Sequence, residues 1–96
     1  MIPLDIIKQH CRIELDDDDA LLGQYHDSAF DWVQTWLGRT IYADAVPDDD
    51  EYGIVINPAI TNAMLILINH WYDNRDAVTA PVAVNALLQP YRLMGV

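Results

Sequence analysis

Serine, lysine, phenylalanine and cysteine each occur once in this chain, as Ser28, Lys8, Phe30 and Cys11. A lone cysteine excludes an internal disulfide and any Cys-x-x-Cys metal or redox motif, and suits a reducing cytoplasm. Five basic residues stand against fifteen acidic ones, for a net charge of −10. No basic stripe with interleaved aromatics exists, which argues against nonspecific nucleic-acid binding, a process driven by Lys and Arg meeting phosphates. The four glycines are isolated, so no Gly-rich phosphate loop is present. Ser28 has no base placed by sequence spacing, so a serine nucleophile is not expected, and neither is a cysteine one. The longest unbroken apolar run, residues 63–68, is far short of the roughly 20 residues that span a bilayer. The start of the chain lacks a charged stretch followed by an apolar run, so no signal peptide is expected.

What the chain does have is apolar bulk, 52 % hydrophobic residues in 96. That length predicts one domain, residues 1–96. A domain so small buries only about 60–65 % of its unfolded surface. The apolar excess therefore points to surface buried by association.

The central stretch is residues 57–75. Asn57 is an N-cap residue, Pro58 suits a first helical turn, and no breaker follows before Arg75, which favours the negative end of the helix dipole. At roughly 100° per residue one broad face carries Ala59, Ile60, Ala63, Met64, Leu67, Ile68, His70 and Trp71. Thr61, Asn62, Asn69 and Asp73 oppose it. Leu65, Ile66 and Tyr72 fall among or beside these polar residues, so either the same chain or another subunit covers them.

Before it, Pro3 opens a helix over residues 3–12. Four aspartates, Asp16, Asp17, Asp18 and Asp19, then lead into a helix over residues 18–37; one is expected to be the N-cap. Its apolar stripe is Leu21, Leu22, Tyr25, Ala29, Trp32, Val33 and Trp36, and Gly38 terminates it. Phe30 lies off the stripe. Residues 39–56 are irregular: Thr40-Ile41-Tyr42 is briefly extended, and Asp48, Asp49, Asp50 and Glu51 form a solvated loop. Val84, Leu87 and Leu88 fit a short last helix ended by Pro90. The tail from Tyr91 is too apolar to be idle coil and packs on its own domain or on a partner. The expected fold is all-α, a small bundle of about four helices with a long acidic loop between the second and third main helices.

Metal chemistry finds little support. His10 and Cys11 are adjacent in sequence, and His26 and His70 would join them only by accident of folding. His70 reads as a neutral core histidine. Asp16–Asp19 lacks the glycine and the distal glutamate of an EF-hand loop. No catalytic, cofactor-binding or metal residue is predicted, and no enzymatic activity. Ten of the fifteen acids fall in residues 14–19 and 44–51, which keeps an apolar protein soluble.

Several segments together resemble the small head–tail connector (adaptor) proteins of tailed bacteriophages, of the HK97-like type. They are Leu4-Asp5-Ile6-Ile7-Lys8-Gln9-His10-Cys11-Arg12-Ile13, then Asp19-Ala20-Leu21-Leu22, and Trp36-Leu37-Gly38-Arg39. The strongest is the apolar helix leading into His70-Trp71-Tyr72, Arg75 and Asp76. Val84-Asn85-Ala86-Leu87-Leu88-Gln89-Pro90-Tyr91-Arg92 closes the series. The resemblance covers nearly the whole chain, least in residues 39–56.

It implies a structural virion protein, without cofactor, that forms a ring at the portal vertex, joins head to tail and extends the DNA channel. The implied partners are further copies of itself, the portal protein and a downstream neck or tail-completion protein. DNA passes through without specific binding, and no membrane is involved. The implied location is the head–tail interface of the virion, and the host cytoplasm during assembly. Candidate subunit-interface residues are Phe30, Leu65, Tyr72 and Arg75. Tyr91, Arg92, Leu93 and Met94 are candidates for gripping the portal or another partner. Asp16, Asp17, Asp18, Asp19, Asp48, Asp49, Asp50 and Glu51 are candidate channel-facing acids. The competing reading is an acidic monomeric binding protein, a DNA-mimic inhibitor of a basic partner; acids clustered in loops rather than arrayed along a face disfavour it.

Overall fold

A computed structural model describes residues 2–74 and 79–93. Arg75 and Met94, two of the candidate site residues, lie outside the described residues. Four helices and one two-stranded pairing make up the rest: α1 Leu4–Cys11, α2 Asp19–Leu37, β1 Ile41–Tyr42, β2 Ile54–Val55, α3 Pro58–Asp73 and α4 Val82–Leu88. A 3-10 turn, Gln89–Tyr91, follows α4 directly. The fold is mostly helical, as expected.

The helix ends have local causes. Asn57 Oδ1 accepts the Ile60 N–H at 2.9 Å, and Pro58 occupies the first turn, so α3 starts where its sequence says. Gly38 closes α2 in the left-handed conformation, φ 70°, with its N–H donating to the Gln34 and Thr35 carbonyls. Arg12 closes α1 in the same conformation, φ 58°, and the Ile13 N–H donates to Lys8 O at 2.9 Å. An arginine there carries no sequence signal, because the conformation belongs mainly to Gly and Asn.

Three details of the helix ends differ from the sequence reading. Asp18 is the residue before α2, yet its carboxylate makes no capping hydrogen bond; it accepts the Tyr72 hydroxyl at 2.7 Å instead. Helix α3 ends at Asp73, where Asn74 donates to the His70 carbonyl. Helix α4 begins at Val82, earlier than Val84, after Pro81. Helix α4 ends at Leu88, ahead of Pro90 as expected, and Pro90 itself sits inside the 3-10 turn, where its missing N–H is no loss.

Helix α3 packs against α1, α2 and α4. A helix covered from three sides needs an apolar surface wider than a single stripe. That resolves its awkward residues: Leu65 is 6 % exposed, inside the core with Met64, Leu67 and Ile68, while Ile66 and Tyr72 are half-buried against it. The same chain covers them. Trp71 and His70, expected in the core, are half-buried; Trp71 leans on Tyr25 with ring centroids 6.2 Å apart. Ile2 is buried, and its N–H donates to His26 Nε2 at 3.1 Å. That places the neutral ring's proton on Nδ1, toward Asp27.

The segment between α2 and α3 is more ordered than a solvated loop. β1 and β2 pair in parallel, Ile41 beside Ile54 and Tyr42 beside Val55. The Ile54 and Ile56 N–H groups donate to the Thr40 and Tyr42 carbonyls at 3.0 and 2.9 Å. The brief extension at Thr40-Ile41-Tyr42 was legible; its partner, far along the chain, was not.

Candidate assembly surfaces

The acidic turn is held by the chain's single lysine. Lys8 Nζ lies 2.6 Å from Asp16 Oδ1 and 2.9 Å from Asp19 Oδ1, clasping α1 to the start of α2. The hydrogen bond to Asp16, then that to Asp19, raises the Lys8 ammonium pKa above its ordinary value. The same bond to Lys8 lowers that of Asp16. Each charge stabilises the ionised form of the other. With Asp18 bonded to Tyr72, three of the four aspartates have intrachain partners. Asp17 is exposed.

The second acidic segment folds back on β1. The Tyr42 hydroxyl donates to Asp50 Oδ2 at 2.5 Å, and this bond, ahead of burial, raises the tyrosine pKa. Two turns, Asp50 N–H to Pro47 O and Gly53 N–H to Asp50 O, shape the loop. Asp50 is thus half-buried, while Asp48, Asp49 and Glu51 point to solvent.

The third surface is the outer face and C-terminal end of α2. Trp32 and Trp36, placed in the core by periodicity, are half-buried, with rings stacked at 6.4 Å and 9°. Their outer sides line an open groove of about 450 Å³ with Ser28, Asp31 and Thr35. Arg92 lies 4.4 Å above the Trp36 ring and its Nε donates to the Trp36 carbonyl at 3.0 Å. The Leu93 N–H donates to Leu37 O. Arg39 Nε reaches the Tyr91 carbonyl at 2.8 Å. Tyr91, Arg92 and Leu93 are therefore fastened to the end of α2, whose last carbonyls lack helical partners. Of the two destinations open to the tail, its own domain takes these three residues. Arg39 and Gln34, whose Oε1 accepts the Ile41 N–H at 2.8 Å, carry no tertiary role in the sequence reading. Their signal, a polar side chain flanking a helix end, is weak because nothing in it names the distant partner.

Phe30 is half-buried against the core, and Leu65 is covered by its own chain. Among the described residues the exposed large apolar side chains are Leu4, Ile6, Leu15, Tyr52, Val55 and Val82. Among the described residues no three His, Cys, Asp or Glu side chains converge on a point that could hold a metal ion. Nor is any helix long and apolar enough to cross a membrane. The Cys11 thiol is half-buried, and burial, then the Asp73 charge, raises its pKa.

This is a small helical protein whose prominent features are charged loops and apolar surface patches. The chain belongs to the phage gp6-like head-tail connector protein family, whose sequence model matches residues 1–92. The fold is similar to that in the crystal structure of bacteriophage HK97 gp6, with a TM-score of 0.72 at 23 % identity, covering 96 % of this chain and 93 % of that one. No curated protein matches it. It is a viral structural protein of the head–tail junction of a tailed phage, positioned between a head-side and a tail-side partner.

Proposed function

We propose that this connector works as a homo-oligomeric ring at the portal vertex, joining head to tail and extending the DNA channel. Membership of the gp6-like connector family over nearly the whole chain carries the reading. A ring is built from heterologous contacts, in which two different patches of one subunit meet. The outer edges of Phe30 and Tyr72, with Arg75, contribute to one patch; Leu65, covered by its own chain, contributes least. Tyr91, Arg92 and Leu93, held at the end of α2, grip the portal together with Met94. Subunits wait in the host cytoplasm before assembly.

One of the two acidic clusters faces the channel, through Asp16 and Asp17 or through Asp48, Asp49 and Glu51, all of them exposed. Like charge repels DNA phosphates from the wall, so DNA slides without sticking. Native mass spectrometry over a concentration series, with and without portal protein, tests the ring. A closed ring, alone or on the portal, is expected; a monomer that ignores the portal refutes it. Substituting Arg75 should yield a folded monomer if its carboxylate partner belongs to a neighbour. A ring structure with both acidic clusters on the outer rim refutes the channel assignment.

A further inference from the structure

The two edges of the β1–β2 pair are not alike. On β1 the outward N–H of Ile41 is taken by Gln34 Oε1 at 2.8 Å. On β2 the N–H groups of Ile54 and Ile56 both point inward to β1. Backbone direction alternates along a strand, so the N–H and C=O of Val55 point outward. Among the described residues neither the Val55 nor the Asn57 N–H donates a hydrogen bond.

Proteins commonly blunt such edges with lysine, proline or a covering segment. Gly53-Ile54-Val55-Ile56 contains neither lysine nor proline. Val55 is 37 % exposed and Tyr52 55 %. The open edge thus combines unused backbone groups with apolar side chains, and it follows directly on the exposed acids Asp48, Asp49 and Glu51.

We propose that the outer edge of β2, residues 53–57, docks an extended, net-positive segment of a partner protein, which adds a third strand beside Val55. Backbone groups supply the pairing, Val55 and Tyr52 supply apolar contact, and the acids select positive charge. A second copy of this chain is a poor occupant, because it brings a further charge of −10 to an edge already flanked by exposed acids. The inference does not depend on ring formation, although a connector's head-side or tail-side neighbour is the natural source of such a segment.

The test is NMR on the isotopically labelled full chain, titrated with the peptide Lys-Thr-Val-Thr-Val-Lys and with its glutamate-ended counterpart. Saturable shifts confined to residues 48–57 are expected with the lysine peptide only, and Val55 amide exchange should slow about tenfold at saturation. Val55→Pro removes the outward N–H at a position where an edge strand tolerates proline, and should abolish the effect. Should that variant not fold, the triple variant D48N/D49N/E51Q should weaken binding several-fold and leave Tyr42–Asp50 in place.

Unchanged Val55 exchange overturns the proposal, as does equal binding of both peptides or binding that survives Val55→Pro. Val55 exchange that slows with protein concentration alone also overturns it, since a second copy then occupies the edge. Native mass spectrometry of the same samples reports the ring separately, so failure at the edge and failure of the ring are distinguishable.

Discussion

A β-carbon on Gly53 would lie 2.7 Å from both Tyr42 Cε2 and Val46 Cγ1, and 2.9 Å from Asp50 Oδ2. Three side chains would have to move at once, including both partners of the Tyr42–Asp50 hydrogen bond. Gly53→Ala should therefore destabilise the protein by about 1–3 kcal/mol, measurable by urea denaturation. Gly23, in an open position on α2, serves as the control: alanine there should stabilise by a few tenths up to about 1 kcal/mol, because it favours the helix. Cys11 shows the same dependence on surroundings. Burial and the nearby Asp73 both disfavour its thiolate, and the thiolate is the reactive form. Cys11 should alkylate with iodoacetamide more slowly than a free thiol at pH 8, and reach the free-thiol rate in denaturant.

Elements are joined by the few cations this chain possesses. Lys8 clasps α1 to the acidic turn, and its side chain is only 15 % exposed, so the stem packs while the ammonium bridges. Asp16 has a lowered pKa in the folded state. Its contribution to stability is complete above its unfolded value and is lost as pH falls through the folded one. Lys8 has a raised pKa, so its share is complete below its unfolded value and is lost as pH rises through the folded one. The stability difference between wild type and Lys8→Met should be flat from about pH 5 to 9 and shrink below about pH 4. Denaturation midpoints across that series check it.

Arg92 joins the tail to α2 by stacking on Trp36 and by its bond to the Trp36 carbonyl. Arg92→Ala should remove about 1–3 kcal/mol and speed amide exchange at Leu93, whose N–H is bound to Leu37 O.

The whole molecule is long and flat, 42 × 26 × 18 Å. Its radius of gyration of 13.7 Å exceeds the roughly 12.5 Å of an average globule of this length. Such a body offers much surface to neighbours for its core volume. Neighbours of the same kind each bring a charge of −10, and that repulsion opposes assembly until counterions screen it. Ring formation should therefore need less protein at about 0.5 M salt than at low salt, the opposite of an assembly held by ion pairs. Light scattering of a concentration series at each salt concentration measures this.

Periodicity, caps and charge by themselves determined much of this protein. Asn57-Pro58 and Gly38 mark α3 and α2 because capping is local chemistry between neighbours in sequence. The mostly helical fold and the two acidic clusters follow from patterns that need no distant partner. The family was legible from its ordered segments for the same reason.

Which atoms meet across long separations was decided only in three dimensions. Leu65 looks like a subunit contact on a helical wheel, yet α3 is packed from three sides and the chain covers it. One of the four aspartates was expected to cap α2, yet the carboxylate of Asp18, the residue before the helix, is taken by Tyr72, fifty-four residues on. Ile54 and Val55 read as apolar chain until β1 lies beside them, and only that pairing leaves one edge of β2 open. The physical reason is the same in each case: a wheel or a cap records angles along one helix, whereas burial and pairing depend on which other element arrives, and from which side.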